Sequence, residues 1–271
     1  MEYNDLSKTA KRVRRRILDT IYNNQIGHIG GSFSAVEILV SLYFDELKIF
    51  NNNPKHPERD VFILSKGHGC SALYSVLVEK GLYKEEELLN TFGNIDSKFQ
   101  VHPDCAKLEW AELSTGSLGQ GLSVGVGAAL ASRYDDLSNY NYVLLGDGEC
   151  QEGQVWEAAM AAGNYKLDNL IAIVDYNKGQ LMDHVNKIMP LEPFGNKWRD
   201  FGWHVQNIDG HNIDSLLKSY KVAKSKKNIP SVIIANTLKG KGVSFMEQEG
   251  YKWHGKKPDK EEYEKALAEL K

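Results

Sequence analysis

Short apolar segments alternate with helix-like patterns along most of the chain. Apolar runs bounded by turn-forming residues predict four strands, over Val61–Leu64, Tyr142–Leu145, Leu170–Asp175 and Ser231–Asn236. Apolar residues at helical spacing predict helices over Asp5–Asn23, Cys70–Lys80, Glu85–Phe92, Val155–Tyr165 and Ile213–Ser225, with a capped surface helix over Pro258–Leu270. A glycine-spaced stretch covers Gly116–Arg133. Short apolar strands that alternate with helices are typical of a mostly parallel sheet with helices on both faces, so the predicted fold class is α/β.

The first predicted helix carries a cluster of six basic residues between Lys8 and Arg16. Basic runs of this kind also occur in transit peptides and in arms that bind nucleic acid. However, Asp5 and Asp19 interleave with the cluster, and apolar residues recur at helical spacing along the same segment. This pattern favours a solvated helix face, and we infer no targeting signal.

Composition narrows the class of protein. The 271 residues are 42% hydrophobic and 25% charged, which predicts one globular α/β domain over residues 1–271. A net charge of −3 gives no electrostatic reason to bind nucleic acid or an anionic membrane, and no apolar run approaches a membrane span. The three cysteines, Cys70, Cys105 and Cys150, are widely spaced, so we expect free thiols and a cytoplasmic location.

The candidate chemistry follows two of the predicted strands. Gly146, Asp147 and Gly148 come directly after the second strand, and Asn177 follows the third. Paired glycines let a backbone turn sharply and approach a phosphate closely. A carboxylate, an amide oxygen, a backbone carbonyl and phosphate oxygens form the sparse oxygen shell that Mg²⁺ prefers when it bridges a protein to a diphosphate. The pattern therefore predicts a metal–diphosphate site between these strands.

Two other nucleotide-binding motifs are excluded. A Walker A sequence occurs nowhere in the chain. The glycine pairs in Gly119–Gly121 and Gly125–Gly127 lack both the third glycine and the preceding strand of a dinucleotide fingerprint. These glycines instead indicate tight helix packing.

The Gly-Asp-Gly sequence followed by an asparagine resembles the thiamine diphosphate signature, and its surroundings resemble transketolases. The stretches that carry this resemblance are Gly27–His28, Ser65–Gly69, His102–Asp104, Ser114–Gly121, Gly153–Ala159, Leu167–Asp175, Lys239–Gly242 and Trp253–Gly255. The resemblance covers nearly the whole chain and stops where a full transketolase begins its pyrimidine-binding domain. It therefore implies the thiamine diphosphate-binding fold, with the chain as the diphosphate-binding, N-terminal subunit of a split transketolase.

The resemblance also implies cofactors and the residues that bind them, namely thiamine diphosphate and Mg²⁺ or Ca²⁺. The implied metal ligands are Asp147, Asn177 and the carbonyl of Gly179. The implied cofactor contacts are His68, Gly116, Leu118, Gly148 and His254. One departure concerns the third ligand, because Lys178–His184 replaces the family's usual sequence of a bulky apolar residue followed by Asp-Gly. Gly179 is consequently the least secure of the metal ligands.

Four residues are implied in catalysis. His28, His102 and His254 match histidines that handle sugar hydroxyls and the reacting carbon, because imidazole both donates and accepts protons near neutral pH. Glu152 matches a carboxylate that hydrogen-bonds across the subunit interface to the partner's cofactor-activating glutamate. The other histidines of the chain, His211 among them, are interpreted as ordinary surface or core residues.

The implied reaction is the transfer of a two-carbon unit from a ketose to an aldose. The substrates are expected to be sugars or sugar phosphates of pentose phosphate type, although sulfonated, branched or carrier-bound acceptors stay open. A partner, the C-terminal transketolase subunit, is expected to supply the pyrimidine-binding domain, so that the chain is inactive alone and works in a heterotetramer. The alternatives are a 2-oxo-acid dehydrogenase α-type chain, a deoxyxylulose-phosphate synthase, another split two-carbon transferase, or a scaffold without catalysis.

Overall fold

Five parallel strands form one sheet within residues 3–271, the part of the chain that the computed structural model describes. The strands are β1 (Val61–Leu64), β2 (Asn141–Gly146), β3 (Leu170–Tyr176), β4 (His204–Asp209) and β5 (Ser231–Asn236). Their order across the sheet is β1-β2-β3-β5-β4, and each neighbouring pair is parallel. The predicted α/β class with a parallel sheet is therefore confirmed.

Helices and short helical turns connect the strands. The helices are α1 (Tyr3–Asn24), α2 (Ile29–Ser34), α3 (Val36–Ser41), α4 (Cys70–Glu79), α5 (Glu85–Thr91), α6 (Gln120–Tyr134), α7 (Gly153–Asn164), α8 (Val185–Ile188), α9 (Phe194–Asp200), α10 (Ile213–Ser225), α11 (Ser244–Glu249) and α12 (Lys260–Glu269). A π-helical turn covers Leu42–Glu46, and 3₁₀ turns cover Gly67–Gly69, Gly148–Gln151 and Gly250–Trp253.

Each strand divides its side chains between two apolar cores. In β2, Tyr142 and Leu144 join the core that includes residues of α1, α3, α4 and α10, whereas Val143 and Leu145 join the core that includes residues of α6, α7 and α9. Burial on both faces explains why β2 is an almost unbroken apolar run in the sequence.

The sequence did not predict β4. This strand lies at an edge of the sheet, where Gln206 and Asn207 interrupt the apolar pattern and most side chains are only half-buried. The short helices α2, α3 and α9 were also missed, because six or seven residues are too few to establish a helical period.

The glycines of α6 allow this helix to lie directly on the sheet. A Cβ atom on Gly121 would overlap Ser65, and one on Gly125 would overlap the side chain of Val143. The interpretation as packing residues is therefore confirmed for Gly121 and Gly125, whereas Gly127 of the same helix faces open space. Within the glycine-spaced stretch the helix begins at Gln120, because Gly119 adopts a left-handed conformation with φ of +85°.

The basic cluster on α1 is only partly solvated, so the expectation of a solvated face is wrong for two of its arginines. Arg14 and Arg16 are buried. Arg14 pairs with Glu37 of α3, and Arg16 pairs with Glu79 and Glu85. These partners are distant in sequence, so periodicity within the helix could not reveal them.

The C-terminal helix and the cysteines match their predictions. Asp259 and Glu262 form a reciprocal capping box at the start of α12. The thiols of Cys70, Cys105 and Cys150 are all free. Across residues 3–271, none of the helices combines the length and the apolarity needed to cross a membrane.

Two helical glycines provide a matched test of this packing. Gly163 of α7 faces the carbonyl oxygen of Phe201 so closely that a Cβ atom would overlap it, whereas the same position on Gly127 of α6 is open. We expect Gly163→Ala to lower the free energy of unfolding by about 1–3 kcal/mol because the backbone must shift. Gly127→Ala should instead raise it by about 0.5–1 kcal/mol, since alanine favours a helix. Urea unfolding of both variants measures the difference, and equal effects would contradict this packing.

Candidate active site

A cavity of about 330 Å³ opens at the carboxyl edge of the sheet. Parallel α/β sheets bind ligands at this edge, where the loops after several strands converge. The cavity is lined by all eleven residues singled out from the sequence, namely His28, His68, His102, Gly116, Leu118, Asp147, Gly148, Glu152, Asn177, Gly179 and His254. The fold therefore brings together motifs that lie far apart along the chain.

Asp147 is a buried carboxylate held entirely by backbone amides. Its Oδ1 accepts from the N–H of Gly148 at 2.8 Å, and its Oδ2 accepts from the N–H of Lys178 at 2.5 Å. Burial, together with the nearby Asp175 carboxylate, raises the pKa of Asp147 to about 6. Because these surroundings disfavour the ionised form of the carboxylate, a cation bound beside it would stabilise that form.

The other two candidate metal ligands lie in the segment that follows β3. The Oδ1 atom of Asn177 accepts from the N–H of Gly179 at 3.1 Å. Its Nδ2 atom donates to Asp175 Oδ2 at 3.2 Å, which orients the amide oxygen toward the loop rather than the sheet. One carboxylate, one amide oxygen and one carbonyl thus border the same cavity, and this donor set suits Mg²⁺ or Ca²⁺.

A buried ion pair lies beneath these ligands. The ammonium of Lys66 bonds to Asp175 Oδ2 and also donates to the carbonyl of Gly31 at 2.8 Å. Asp175 additionally accepts from the hydroxyls of Ser34 and Thr237. Burial opposes ionisation of Asp175, but the Lys66 ammonium prevails and lowers the pKa of this carboxyl. Neither charged residue of the pair was given a role from the sequence.

Lys239 is a second buried lysine, and it enters the cavity after β5. Its Nζ donates to the carbonyl of Gly179 at 2.8 Å and lies 3.2 Å from Nδ1 of His254. Burial and the nearby Lys66 ammonium lower the pKa of Lys239 to about 8. The sequence analysis noted the motif around Lys239 but gave its side chain no role. Like Asp147, however, Lys239 follows a strand and therefore lies at the carboxyl edge of the sheet. The Lys239 ammonium therefore donates to the carbonyl of Gly179, the same carbonyl that was expected to bind the metal.

Four imidazole rings form a cluster on the cavity wall. The ring centroid of His28 lies 5.6 Å from His68, 5.9 Å from His102 and 5.3 Å from His254. Burial and the neighbouring His102 lower the pKa of His28 to about 4, while burial and Lys239 lower the pKa of His254 to about 3. Burial also lowers the pKa values of His68 and His102. At neutral pH the cluster therefore presents uncharged groups that can donate and accept hydrogen bonds.

Two glutamates near the cavity have opposite surroundings. Glu149 is buried, and its carboxylate accepts from the N–H groups of Gly119 and Gly146, both at 2.9 Å, and from the hydroxyl of Ser65. It thereby joins the ends of β1 and β2 to the start of α6. Glu152 is exposed at the cavity mouth, where a group outside the chain could reach it. Glu152 was singled out from the sequence, whereas Glu149 was missed.

The segment that departs from the family pattern forms a small turn. Lys178 adopts a left-handed conformation with φ of +63°, and Gly179 pairs with His184 across the turn. Gly179 has ordinary backbone geometry, and a Cβ atom there would lie 3.3 Å from Lys239 and from Tyr251. Close approach by neighbouring side chains, rather than an unusual φ, is therefore what suits glycine to this position.

The fold and the site together define an α/β domain with a ligand-sized cavity at the carboxyl edge of a parallel sheet, lined by groups that suit a cation and an anion. Residues 6–270 match the family model described as transketolase, thiamine diphosphate binding domain. The chain therefore belongs to the transketolase family, whose members are transferases.

Relatives include separate subunits as well as full-length enzymes. The chain is 47% identical to the 6-deoxy-6-sulfo-D-fructose transketolase subunit SqwG of Clostridium sp. (strain MSTE9), over 98% of this chain and 96% of that protein. It is 39% identical to one of the subunits of the apulose-4-phosphate transketolase of Phocaeicola vulgatus, over 100% of this chain and 95% of that protein. The crystal structure of transketolase from Campylobacter jejuni superposes with a TM-score of 0.92 at 31% identity, covering 100% of this chain and 43% of that one.

The depressed histidine pKa values predict a pH-dependent stability. The pKa of His254 is about 3 in the folded chain, against about 6.5 in an unfolded one. As the pH falls below 6.5, the His254 ring binds a proton in the unfolded state but not in the folded state, so the free energy of unfolding declines. His254→Gln removes this proton uptake and should flatten the decline between pH 6.5 and 4. Urea unfolding at pH 8 provides the baseline, and parallel pH profiles for the two proteins would contradict the assignment.

Proposed function

We propose that the chain is the N-terminal subunit of a two-chain transketolase that moves a two-carbon unit from a ketose to an aldose. The observation that carries this proposal is a cavity at the carboxyl edge of the sheet that gathers every residue implicated by the family resemblance. The similarity to proteins named as transketolase subunits over nearly their whole length supports a split enzyme.

The residues present suit thiamine diphosphate with Mg²⁺ or Ca²⁺. Asp147, Asn177 and Gly179 would hold the metal through three oxygen atoms, once Lys239 releases the Gly179 carbonyl. The ammonium of Lys239 would then be free for a diphosphate oxygen, together with the N–H of Gly148. Gly116 and Leu118 lie at the cavity edge, where they would contact the cofactor's aminopyrimidine. When bound, the cofactor supplies the carbanion chemistry that amino-acid side chains lack.

The histidine cluster would act on the sugar. Neutral rings of His28, His102 and His254 can each accept or donate a hydrogen bond to a sugar hydroxyl. Their lowered pKa values mean that each ring is uncharged at neutral pH and carries a single N–H proton. A ring in such surroundings releases an accepted proton readily, so it can return that proton to an oxygen on which negative charge develops.

A partner subunit is part of the proposal. Glu152 faces outward at the cavity mouth, where it would meet the partner's cofactor-activating glutamate. The helices α6 and α7 both begin beside Glu152, and they expose Val124 at 40% and Met160 at 56%, while the cavity-lining Leu181 is 61% exposed. Exposed apolar side chains beside a functional cavity favour burial against another protein. We propose that the subunit carrying the pyrimidine-binding domain covers this surface in a heterotetramer.

Purification of the tagged chain from its own cells tests the proposed function. We expect a second polypeptide to co-purify, and the complex to transfer two carbons to ribose 5-phosphate when thiamine diphosphate and Mg²⁺ are present. The donors to compare are xylulose 5-phosphate, 6-deoxy-6-sulfofructose and apulose 4-phosphate. The last two compounds appear in the names of the relatives. Full activity of the chain alone, or a partner without transfer from any ketose, would contradict the proposal.

Asp147→Asn should abolish most of the metal-dependent cofactor binding. Loss of an outer-shell partner of a metal site costs about 10–100-fold in affinity or activity, so the loss of a direct carboxylate ligand should cost about 100-fold or more. Asp135→Asn, at the exposed end of α6, is the matched control and should change nothing. Equilibrium dialysis of each variant, assembled with the partner subunit, measures the affinity for thiamine diphosphate in the presence of Mg²⁺, and equal affinities would exclude Asp147 from the metal site.

The proposed interface has a matched pair of test positions. Val124 on α6 and Val222 on α10 are both 40% exposed, but α10 contributes to the core on the opposite face of the sheet. We expect Val124→Glu to weaken assembly with the partner by about 10-fold or more, because a charge would be buried in the interface. Val222→Glu should leave assembly unchanged. Analytical ultracentrifugation of the mixed subunits distinguishes them, and intact assembly with Val124→Glu would place the interface elsewhere.

A further inference from the structure

His211 bridges two parts of the chain that lie far apart in sequence. Its Nδ1 atom lies 2.9 Å from Oε2 of Glu37 in α3, and its Nε2 atom lies 2.8 Å from the backbone nitrogen of Leu238. A backbone N–H can only donate, so Nε2 must accept, and the ring proton therefore sits on Nδ1 and is donated to Glu37. Both side chains are almost fully buried, with 12% and 9% exposed. The contacts define one tautomer and one ring orientation.

Glu37 is a firm anchor for this bridge. The guanidinium of Arg14 donates to its Oε2 at 2.5 Å and also reaches the carbonyl of Phe33 at 3.3 Å. Burial opposes the negative charge, but Arg14 and His211 together lower the pKa of Glu37 to about 2. The carboxylate is therefore ionised at any pH of interest and is fixed between α1 and α3.

The other end of the bridge is the segment that delivers Lys239 to the cavity. Thr237 is held by Asp175, and the N–H of Gly240 donates to the carbonyl of Gly30 at 3.1 Å. Between them, Leu238 leaves 47% of its side chain exposed, so apolar burial does little to fix it. The carbonyl of Leu238 accepts from the N–H of Lys241 at 3.2 Å, but this contact lies within the same segment. The hydrogen bond from the Leu238 N–H to His211 is thus the contact that joins the backbone immediately before Lys239 to another part of the chain.

We propose that His211 is a positioning residue, which holds Leu238 in place and thereby directs the Lys239 ammonium into the cavity to meet an anionic, diphosphate-type group. The identity of this anion rests on the proposed function, whereas the backbone contact does not. A flexible lysine binds an anion more tightly when its main chain is already ordered, because less freedom is lost on binding.

Hydrogen exchange tests the backbone contact by itself. His211→Leu removes the acceptor, whereas His211→Gln keeps an amide oxygen that can accept from Leu238. We expect exchange in residues 237–242 of the full chain to accelerate by about 10-fold or more in His211→Leu, since an amide opens more readily without its acceptor. The exchange rate of residues 237–242 in His211→Gln should be closer to that of the unsubstituted protein. Exchange in residues 204–209 should not change in either variant. Unchanged exchange in 237–242 would overturn the proposal.

A double-mutant cycle tests the connection to Lys239. In the assembled complex with Mg²⁺, His211→Leu should weaken thiamine diphosphate binding by about 10-fold, as loss of a supporting residue commonly does. In a Lys239→Met background the same change should cost nothing further, because the side chain that it positions is gone. An equal loss in both backgrounds would show a general structural effect and overturn the proposal. His204→Leu, on a half-buried histidine in β4, is the control and should change neither measurement.

The two experiments separate failure of this proposal from failure of the proposed function. If the unchanged complex binds no thiamine diphosphate, the proposed function fails, and inorganic diphosphate with Mg²⁺ replaces it as the probe in the same cycle. Should His211→Leu not fold, His211→Asn takes its place, because the shorter amide cannot reach both Glu37 and Leu238. We then expect His211→Asn to show fast exchange in residues 237–242 and a loss of affinity that depends on Lys239.

Discussion

The buried ion pair between Lys66 and Asp175 is the interaction on which the rest of the site depends. Removing each ion from water costs several kcal/mol, and an isolated pair recovers this cost only with good geometry and further hydrogen bonds. Here Lys66 has the carbonyl of Gly31, and Asp175 has the hydroxyls of Ser34 and Thr237. The pair thus joins α2 and the ends of β1, β3 and β5 at one point beneath the cavity.

This pairing determines which charges are left for ligands. Five buried charged residues, Lys66, Asp175, Asp147, Lys239 and Glu149, meet at the carboxyl edge of the sheet, and the carboxylate of Glu149 is already satisfied by Gly119, Gly146 and Ser65. Because Lys66 and Asp175 neutralise each other, Asp147 is left for a cation and Lys239 for an anion. The surroundings disfavour the charge on both of these groups, raising the pKa of Asp147 and lowering the pKa of Lys239. A metal–diphosphate pair would satisfy both at once, which is why this chemistry fits the cavity better than a simple sugar site.

Sequence patterns predicted the sheet and the polar residues directly after two of its strands, because both depend on rules of short range, whereas the other residues that border the cavity were identified from the family resemblance. Apolar runs mark the buried strands, and a polar residue directly after a strand lies at the carboxyl edge, as Asp147 and Asn177 do. What the sequence could not show depends on contacts between distant segments. The contacts Arg14–Glu37, Asp175–Ser34 and His211–Glu37 span 23, 141 and 174 positions, so periodicity carried no information about them. The edge strand β4 was missed for a different reason, since half-burial leaves no apolar run.

The central claim is that this cavity holds thiamine diphosphate through a divalent cation when the partner subunit is present. Calorimetric titration of the reconstituted complex with thiamine diphosphate, with and without Mg²⁺, tests this claim most directly. We expect saturable binding that requires Mg²⁺ and that the unassembled chain does not reproduce with comparable affinity. Absence of binding by the complex, or binding that is indifferent to Mg²⁺ and to the partner, would contradict the claim.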